Sequence, residues 1–528
     1  MNLQSRWPSP ASVADRAAAK RVPSALSILF GTIMLLAVLG VLGRPAVFPD
    51  TDAYVRYGSG FYHLVAQHLR IEPPPPPPDS PEEAADRRDD LSMDLTVMAA
   101  RSPWYGAFIW PVQRYGTIWL VAALQSLVGA WLVWLLWRTT APDAPPWTAY
   151  AVQGATALFS TLPFVAGFVM PDVFTAYLIL GVTLLLVSWG RLRPAERAGL
   201  LLLTFFECRF HGANSALSLV IAVTAGVASL LPKLDRRAAR ISIIVVLLTL
   251  GASVAAGKLV DMAIVAKTGQ APGRPPFLAM RMIADGPGRK YLRRVCAEGA
   301  TYRLCRYKGL PLDNIEDMIW STDAKKGIFL KGDTAHRMIL EREEKPFVVG
   351  VVLSDPVGVV LSSLNNWRKQ LGMVAVHDPL IDPELYIAHQ PYIDSPLRPM
   401  VERIGSCGPD HHGCRTRLTQ PVADRLQTVE FILAAAIVAI LAARSIPRLA
   451  RPALPVTPQW LEAAGLATVG LLANALLYGA IAGPFFRYQS CVAWIATTMA
   501  AVGLASCWRR QPVKPASASL ESVGAVQE

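Results

Sequence analysis

Nine stretches of this chain are continuously apolar over about 17–25 residues, the length a helix needs to cross the hydrocarbon of a bilayer. They are 24–43, 115–137, 147–169, 172–189, 213–231, 241–262, 428–445, 460–482 and 489–507, and each predicts a membrane helix. A tenth, 198–210, is apolar but reaches only about 20 Å at 1.5 Å per residue, so it is not expected to cross alone. Lipid is then the main solvent, in keeping with 52% hydrophobic and 17% charged residues. The expected fold class is an all-α polytopic membrane protein of about ten membrane helices, including one short or re-entrant hairpin. A large α or α+β extracytoplasmic insertion completes it.

Lys and Arg exceed Asp and Glu by a formal charge of +12, yet they form no basic stripe with interleaved aromatics, so nucleic acid is not an expected partner. They sit in short clusters between the runs: Arg138; Arg191, Arg193 and Arg197; Lys233, Arg236, Arg237 and Arg240; Arg444, Arg448 and Arg451; Arg509 and Arg510. The positive-inside rule places all of these in the cytosol. For the second and third clusters to share a side, 198–231 must go out and return as a hairpin whose turn carries Glu207, Arg209 and His211. The first run is long for a signal-peptide core and lacks a small-residue cleavage site, so it reads as a retained helix. Both termini, 1–23 and 508–528, are then cytosolic, and the expected location is a bacterial-type inner membrane, crossed many times.

Within the membrane domain 24–262, the loop 44–114 lies outside. It holds Pro73 to Pro78, which cannot donate backbone hydrogen bonds and favour an extended spacer. The segment 263–427, before the final three helices of 428–507, is also outside and long enough to bury its own core. Within it, 347–376 reads as an amphipathic or half-buried stretch suited to the membrane surface. Four cysteines fall in this segment, and an oxidising compartment favours disulfides, most simply Cys296 with Cys305 and Cys407 with Cys414. His411 and His412 lie between the last two, but neither pair has the tight spacing of zinc ligands.

Ionisable residues gather on the outer side. Asp50 and Asp52, followed by Tyr54 and Arg56, lie just beyond the first helix; two carboxylates so spaced suit a shared divalent cation (Mg or Mn) or a general base with its partner. Helix capping is the structural alternative for them and for Asp172 in the MPD turn. Glu207, Arg209 and His211 are in the hairpin turn, and Arg487 is at the junction of the last two helices, where snorkelling is its alternative. Such residues are costly near lipid, and the topology brings them to one level, which predicts a shared outer cavity.

The pattern resembles the polytopic C-type (GT-C) glycosyltransferase superfamily, which transfers sugars from polyprenyl-phosphate donors outside the cytosol. Asp50, Asp52 and Tyr54 match its modified Asp-x-Asp element, and RSPWYG, with Arg101, Pro103 and Tyr105, looks like the element before the second helix. Asp172 is similar to the acidic residue of its second outer loop, and Arg487 with Tyr488 resembles an Arg-Tyr pair that faces donor phosphate. Family members often carry a soluble domain after their last helix; here the large outer segment precedes the last three.

The resemblance implies an inverting glycosyltransferase that takes a sugar from a polyprenyl-phosphate donor to a glycan or glycolipid acceptor of the envelope. Arg487 and Tyr488, with Arg209 or His211, would hold the phosphate, Asp50 or Asp52 would deprotonate the acceptor, and Asp172 would orient the base, hold the acceptor or bind a cation. Arg101 and Tyr105 would belong to a substrate loop. A transporter or flippase of lipid-linked intermediates, and a non-catalytic envelope assembly protein, are the alternatives from other classes. Transporters, however, hold ligands near the midplane between repeated halves, and no repeat is evident.

Overall fold

A computed structural model of the chain describes residues 24–42, 45–47, 49–70, 80–85, 101–230, 236–271, 273–376, 420–445 and 456–508. Among these every regular element is helical, as backbone that must satisfy its own hydrogen bonds in lipid requires. Seven helices are long and apolar enough to cross a membrane: Ser24–Leu42, Ile118–Thr140, Val173–Arg191, Arg240–Thr268, Val422–Arg444, Pro458–Ala482 and Phe486–Cys507. An eighth is added if the bent pair Thr334–Ser354 and Pro356–Leu371 counts as one span. The chain is thus an all-α polytopic membrane protein, with fewer full-length spans among the described residues than the apolar runs suggest.

The difference has local causes. The run 147–169 does not stay helical: α5 (Trp147–Leu158) stops, a short α6 (Leu162–Ala166) follows, and the chain then runs irregularly to Asp172. Pro163 brings no N–H to a continuing helix, while Ser160 accepts from Leu162 N and Thr161 donates to the carbonyl of Ser490 at 2.8 Å. The short run 198–210 lies within the longer α8 (Pro194–Phe210), and a break at His211 separates it from α9 (Gly212–Ala228). Each has 17 residues.

The bundle is organised around α7 (Val173–Ser188). It is apolar on all sides, and every residue from Val173 to Leu186 is buried, which is the behaviour expected of a helix with no polar face. Around it stand α4 (Ile118–Thr140), α8, α9, α10 (Arg236–Thr268), α17 (Pro458–Leu477) and α18 (Phe486–Cys507). Basic residues collect at one end of the bundle, where Arg138 pairs with Glu196 at 2.5 Å and Arg191 donates to the Thr139 carbonyl at 2.6 Å. The other end lies the length of α18 away, roughly 33 Å. There α2 (Pro49–His68) crosses α3 (Pro103–Tyr115) at Gly58 and Gly106, where a Cβ on either glycine would run into the other's backbone.

The inserted segment has its own core, built from Ala279, Met280, Ile283, Leu292, Met318, Phe329, Leu340 and Phe347. No strand occurs in its described residues, so of the two classes expected it is α there. Cys296 and Cys305 form a disulfide with Cα atoms 5.5 Å apart; Cys407 and Cys414 lie outside the described residues. The stretch read as amphipathic belongs to α14 (Thr334–Ser354) and α15 (Pro356–Leu371), bent by 103° at Asp355, with Leu353, Val357 and Leu361 exposed at the corner. The helix α15 lies against α17, where Trp367 donates to the Leu472 carbonyl at 3.1 Å.

Gln370 makes a two-way tie between the inserted segment and the bundle. Its amide donates to the Phe485 carbonyl at 2.8 Å and accepts from the Phe485 N–H at 2.9 Å. Phe485 is the N-cap position of α18, and its side chain cannot cap the helix itself. Beside it Gly483 has φ +109°, a conformation that favours glycine. The Arg281 guanidinium lies where a Cβ on Gly483 would project.

Candidate functional site

The end of the bundle opposite Arg138 and Arg191 gathers Asp50, Arg101, Asp172 and Arg487, each placed by a different piece of chain. Asp50 is fixed by the segment before α2: Ala46 N donates to the Gly167 carbonyl at 3.0 Å, Val169 N to the Ala46 carbonyl at 2.9 Å, and the Thr51 hydroxyl to the Val169 carbonyl at 3.0 Å. The 166–168 strip is itself pinned by the buried Gln125, whose amide donates to Ala166 O and Phe168 O. Asp172, three residues beyond Val169, therefore lies close to Asp50. Arg101 precedes α3, whose N-cap Ser102 donates to the Arg209 carbonyl at 2.5 Å. Arg487 lies in the first turn of α18, two positions after the Phe485 clamp.

One carboxylate bridges two guanidinium groups. Arg101 Nη2 reaches Asp50 Oδ1 at 2.5 Å and Arg487 Nη1 reaches Asp50 Oδ2 at 3.2 Å. Arg487 Nε lies 3.9 Å from Asp172 Oδ1, and Arg487 Nη2 donates to the Tyr488 hydroxyl at 3.1 Å. The four charged side chains keep only 6–15% of their surface exposed. Capping does not account for the acidic residues: Asp50 spends both oxygens on arginines, and Asp172 makes no side-chain cap hydrogen bond.

Other expected residues are placed differently. His211 lies close by, its Nδ1 2.8 Å from the Tyr478 hydroxyl and its ring 6.2 Å from that of Tyr488. Arg209 turns instead toward α10, donating to Ser253 Oγ at 2.9 Å and to Ser215 Oγ at 3.4 Å. A helix-end arginine has two directions open to it, and here the serine on the neighbouring helix takes it. Tyr105 is buried below the site, its hydroxyl on Gln125 at 3.0 Å and its ring 5.1 Å from that of Tyr54. Its ring packs among those of Tyr54, Phe108, Phe174 and Phe210. The side chain of Asp52 lies outside the described residues.

Three contributions come from residues with no sequence signal for a site. Trp320 of the inserted segment lies over the Arg101 guanidinium, 5.0 Å from centroid to carbon. Glu316, one turn earlier in the same helix, feels the charges of Arg487, Asp50 and Arg101. Tyr478 opens a π-helical turn, Tyr478–Ala482, inside an otherwise ordinary apolar run.

The electrostatics separate the carboxylates. Burial alone would raise the Asp50 carboxyl, but Arg101 and Arg487 outweigh it and hold it below the usual range. For Asp172 burial prevails over Arg487, helped by the nearby Asp50 charge, and the carboxyl is raised. Burial also raises Glu316. Two guanidinium groups converge on one firmly ionised carboxylate, and planar forks of this kind are suited to two-point contact with a phosphate. The arrangement does not suit a divalent cation at Asp50, whose oxygens already face arginines. No group of three or more His, Cys, Asp or Glu side chains with metal-ligand geometry occurs among the described residues.

No protein family, curated protein or solved structure was found to match the chain.

Proposed function

We propose that the protein is a membrane glycosyltransferase that moves a sugar from a polyprenyl-phosphate donor to a glycan or lipid acceptor of the cell envelope, at the extracytoplasmic face. The observation that carries this is the convergence of Arg487 on Asp50 at 3.2 Å and Asp172 at 3.9 Å, with Arg101 on the other Asp50 oxygen. Residues separated by hundreds of positions meet at one point, as groups serving one reacting centre must.

Arg487 and Arg101 take the donor phosphate and stabilise the negative charge that grows on it as the bond to the sugar breaks. Asp50 holds the two cations at the right separation; doubly paired, it is a poor proton acceptor. Tyr488, whose hydroxyl and ring both meet Arg487, fixes the direction of that guanidinium.

The test is release of polyprenyl phosphate. Protein in nanodiscs is incubated with a panel of polyprenyl-phosphate hexoses and pentoses and with envelope glycans from cells lacking the protein. Wild type is expected to release polyprenyl phosphate from at least one donor, and R487A to do so at least about 100-fold more slowly, the scale of losing one transition-state charge contact. Absence of release from every donor refutes the proposal in favour of transport or a scaffolding role.

A further inference from the structure

We infer that Glu316, on the inserted segment, is the general base that takes the proton from the acceptor hydroxyl; this rests on the glycosyl-transfer reading above. The geometry begins with α13 (Ile315–Trp320). Asn314 caps it, accepting from Glu316 N at 2.9 Å and Asp317 N at 3.4 Å. Ile315, Met318 and Ile319 are buried in the core of the inserted segment. Glu316 and Trp320, four positions apart, share the opposite face. Trp320 stacks on Arg101, so this face is turned to the charged cluster. The inserted segment is held there by the Gln370–Phe485 pair of hydrogen bonds and by Trp367 on Leu472.

Glu316 differs from the other carboxylates of the site in being accessible. Asp50 has both oxygens on arginines, and Asp172 lies beneath Arg487 with its side chain 6% exposed. Glu316 is exposed, and no hydrogen bond or ion pair holds its carboxylate among the described residues. An acceptor arriving from the side of the inserted segment meets this carboxylate while the donor phosphate lies on the arginines behind it. Burial in part of its surroundings raises its affinity for a proton above that of an ordinary glutamate, which favours a base.

In the step, the acceptor oxygen forms a bond to the anomeric carbon on the face opposite the phosphate, and its proton passes to Glu316. The bond from the anomeric carbon to the phosphate oxygen breaks, its electron pair leaving with polyprenyl phosphate, whose charge Arg487 and Arg101 receive. The anomeric centre is inverted, and the proton later leaves Glu316 to water.

The test compares E316Q, E316D and D172N in the nanodisc assay, following turnover and donor KM from pH 4.5 to 8. Glu316 is exposed, so the isosteric amide is not expected to disturb folding. E316Q should lower turnover by about 100-fold or more, with donor KM within twofold of wild type. It should also abolish the acid limb, the loss of rate as pH falls and the base is protonated, and E316D should restore part of the rate. E316Q turning over within about threefold of wild type, or an acid limb kept in E316Q but lost in D172N, overturns the inference while leaving the transferase reading standing. A wild type that releases no polyprenyl phosphate overturns both.

Discussion

Gln370 and Phe485 exchange two hydrogen bonds, at 2.8 and 2.9 Å, across 115 residues of sequence. The contact fixes the backbone two positions before Arg487, so the inserted segment helps to aim the guanidinium at the centre of the site. Q370A leaves the Phe485 N–H and C=O without these partners. It is expected to lower stability by about 2 kcal/mol and to weaken binding of polyprenyl phosphate about tenfold. Thermal unfolding and lipid binding in nanodiscs measure the two effects. An unfolding midpoint lowered with unchanged lipid binding would confine Gln370 to a purely structural part.

Asp50 and Asp172 are expected to give stability–pH profiles of opposite sign. The folded Asp50 carboxyl titrates below its ordinary value of 3.8, so its pairing stabilises the fold at and above that pH and is lost as pH falls through the folded value. Asp172 titrates above its ordinary value; its relative contribution is fully present at low pH and declines as pH rises through the folded value. D50N should therefore be less stable than wild type by about 3 kcal/mol at pH 7, a deficit that narrows only in strong acid. D172N should lose least, or gain, at pH 7 and compare worst at low pH. Calorimetry of both variants between pH 3 and 8 checks the signs.

The α2–α3 crossing, with Gly58 and Gly106 backbone to backbone, sets Asp50 in the first turn of α2 close to Arg101 just before α3. G106V must push the helices apart. Overpacking of this kind costs about 1–3 kcal/mol, and here it also separates an ion pair, so the variant should combine a lowered unfolding midpoint with a loss of lipid-phosphate binding greater than that of Q370A. Wild-type binding in G106V would show that the helices slide without disturbing the site.

The Cys296–Cys305 disulfide closes a short loop between α12 (Pro287–Ala297) and the 3₁₀ turn Arg303–Tyr307. Its replacement by serines should destabilise the inserted segment by about 2–3 kcal/mol and expose it to protease before the membrane helices are affected. Limited proteolysis followed by mass mapping distinguishes the two regions.

The membrane helices were legible because an apolar run of bilayer length has few other uses. The cluster of Asp50, Asp172 and Arg487 was legible for a related reason: a charge at the end of such a run is conspicuous. Arg209 was equally conspicuous and yet turns to Ser253, since sequence fixes the end of the helix and not the neighbour its last side chain finds. Glu316, Trp320 and Gln370 gave no signal, lying in a segment of ordinary composition whose docking onto α17 and α18 depends on tertiary contact. The break after Leu158 did leave a trace, in Ser160, Thr161 and Pro163, within a run whose overall apolarity concealed it.

The bridge from Asp50 to Arg487 spans 437 positions. During synthesis, Arg101 is available to Asp50 long before Arg487 is made, so a partly inserted chain holds only half of the bridge. The last helix, α18, completes both the bundle and the charge balance at its end, and a chain that loses α18 is left with a buried Asp172 lacking its nearest cation. The last segment to be made is thus the one that joins Asp50 to Asp172 through a single guanidinium.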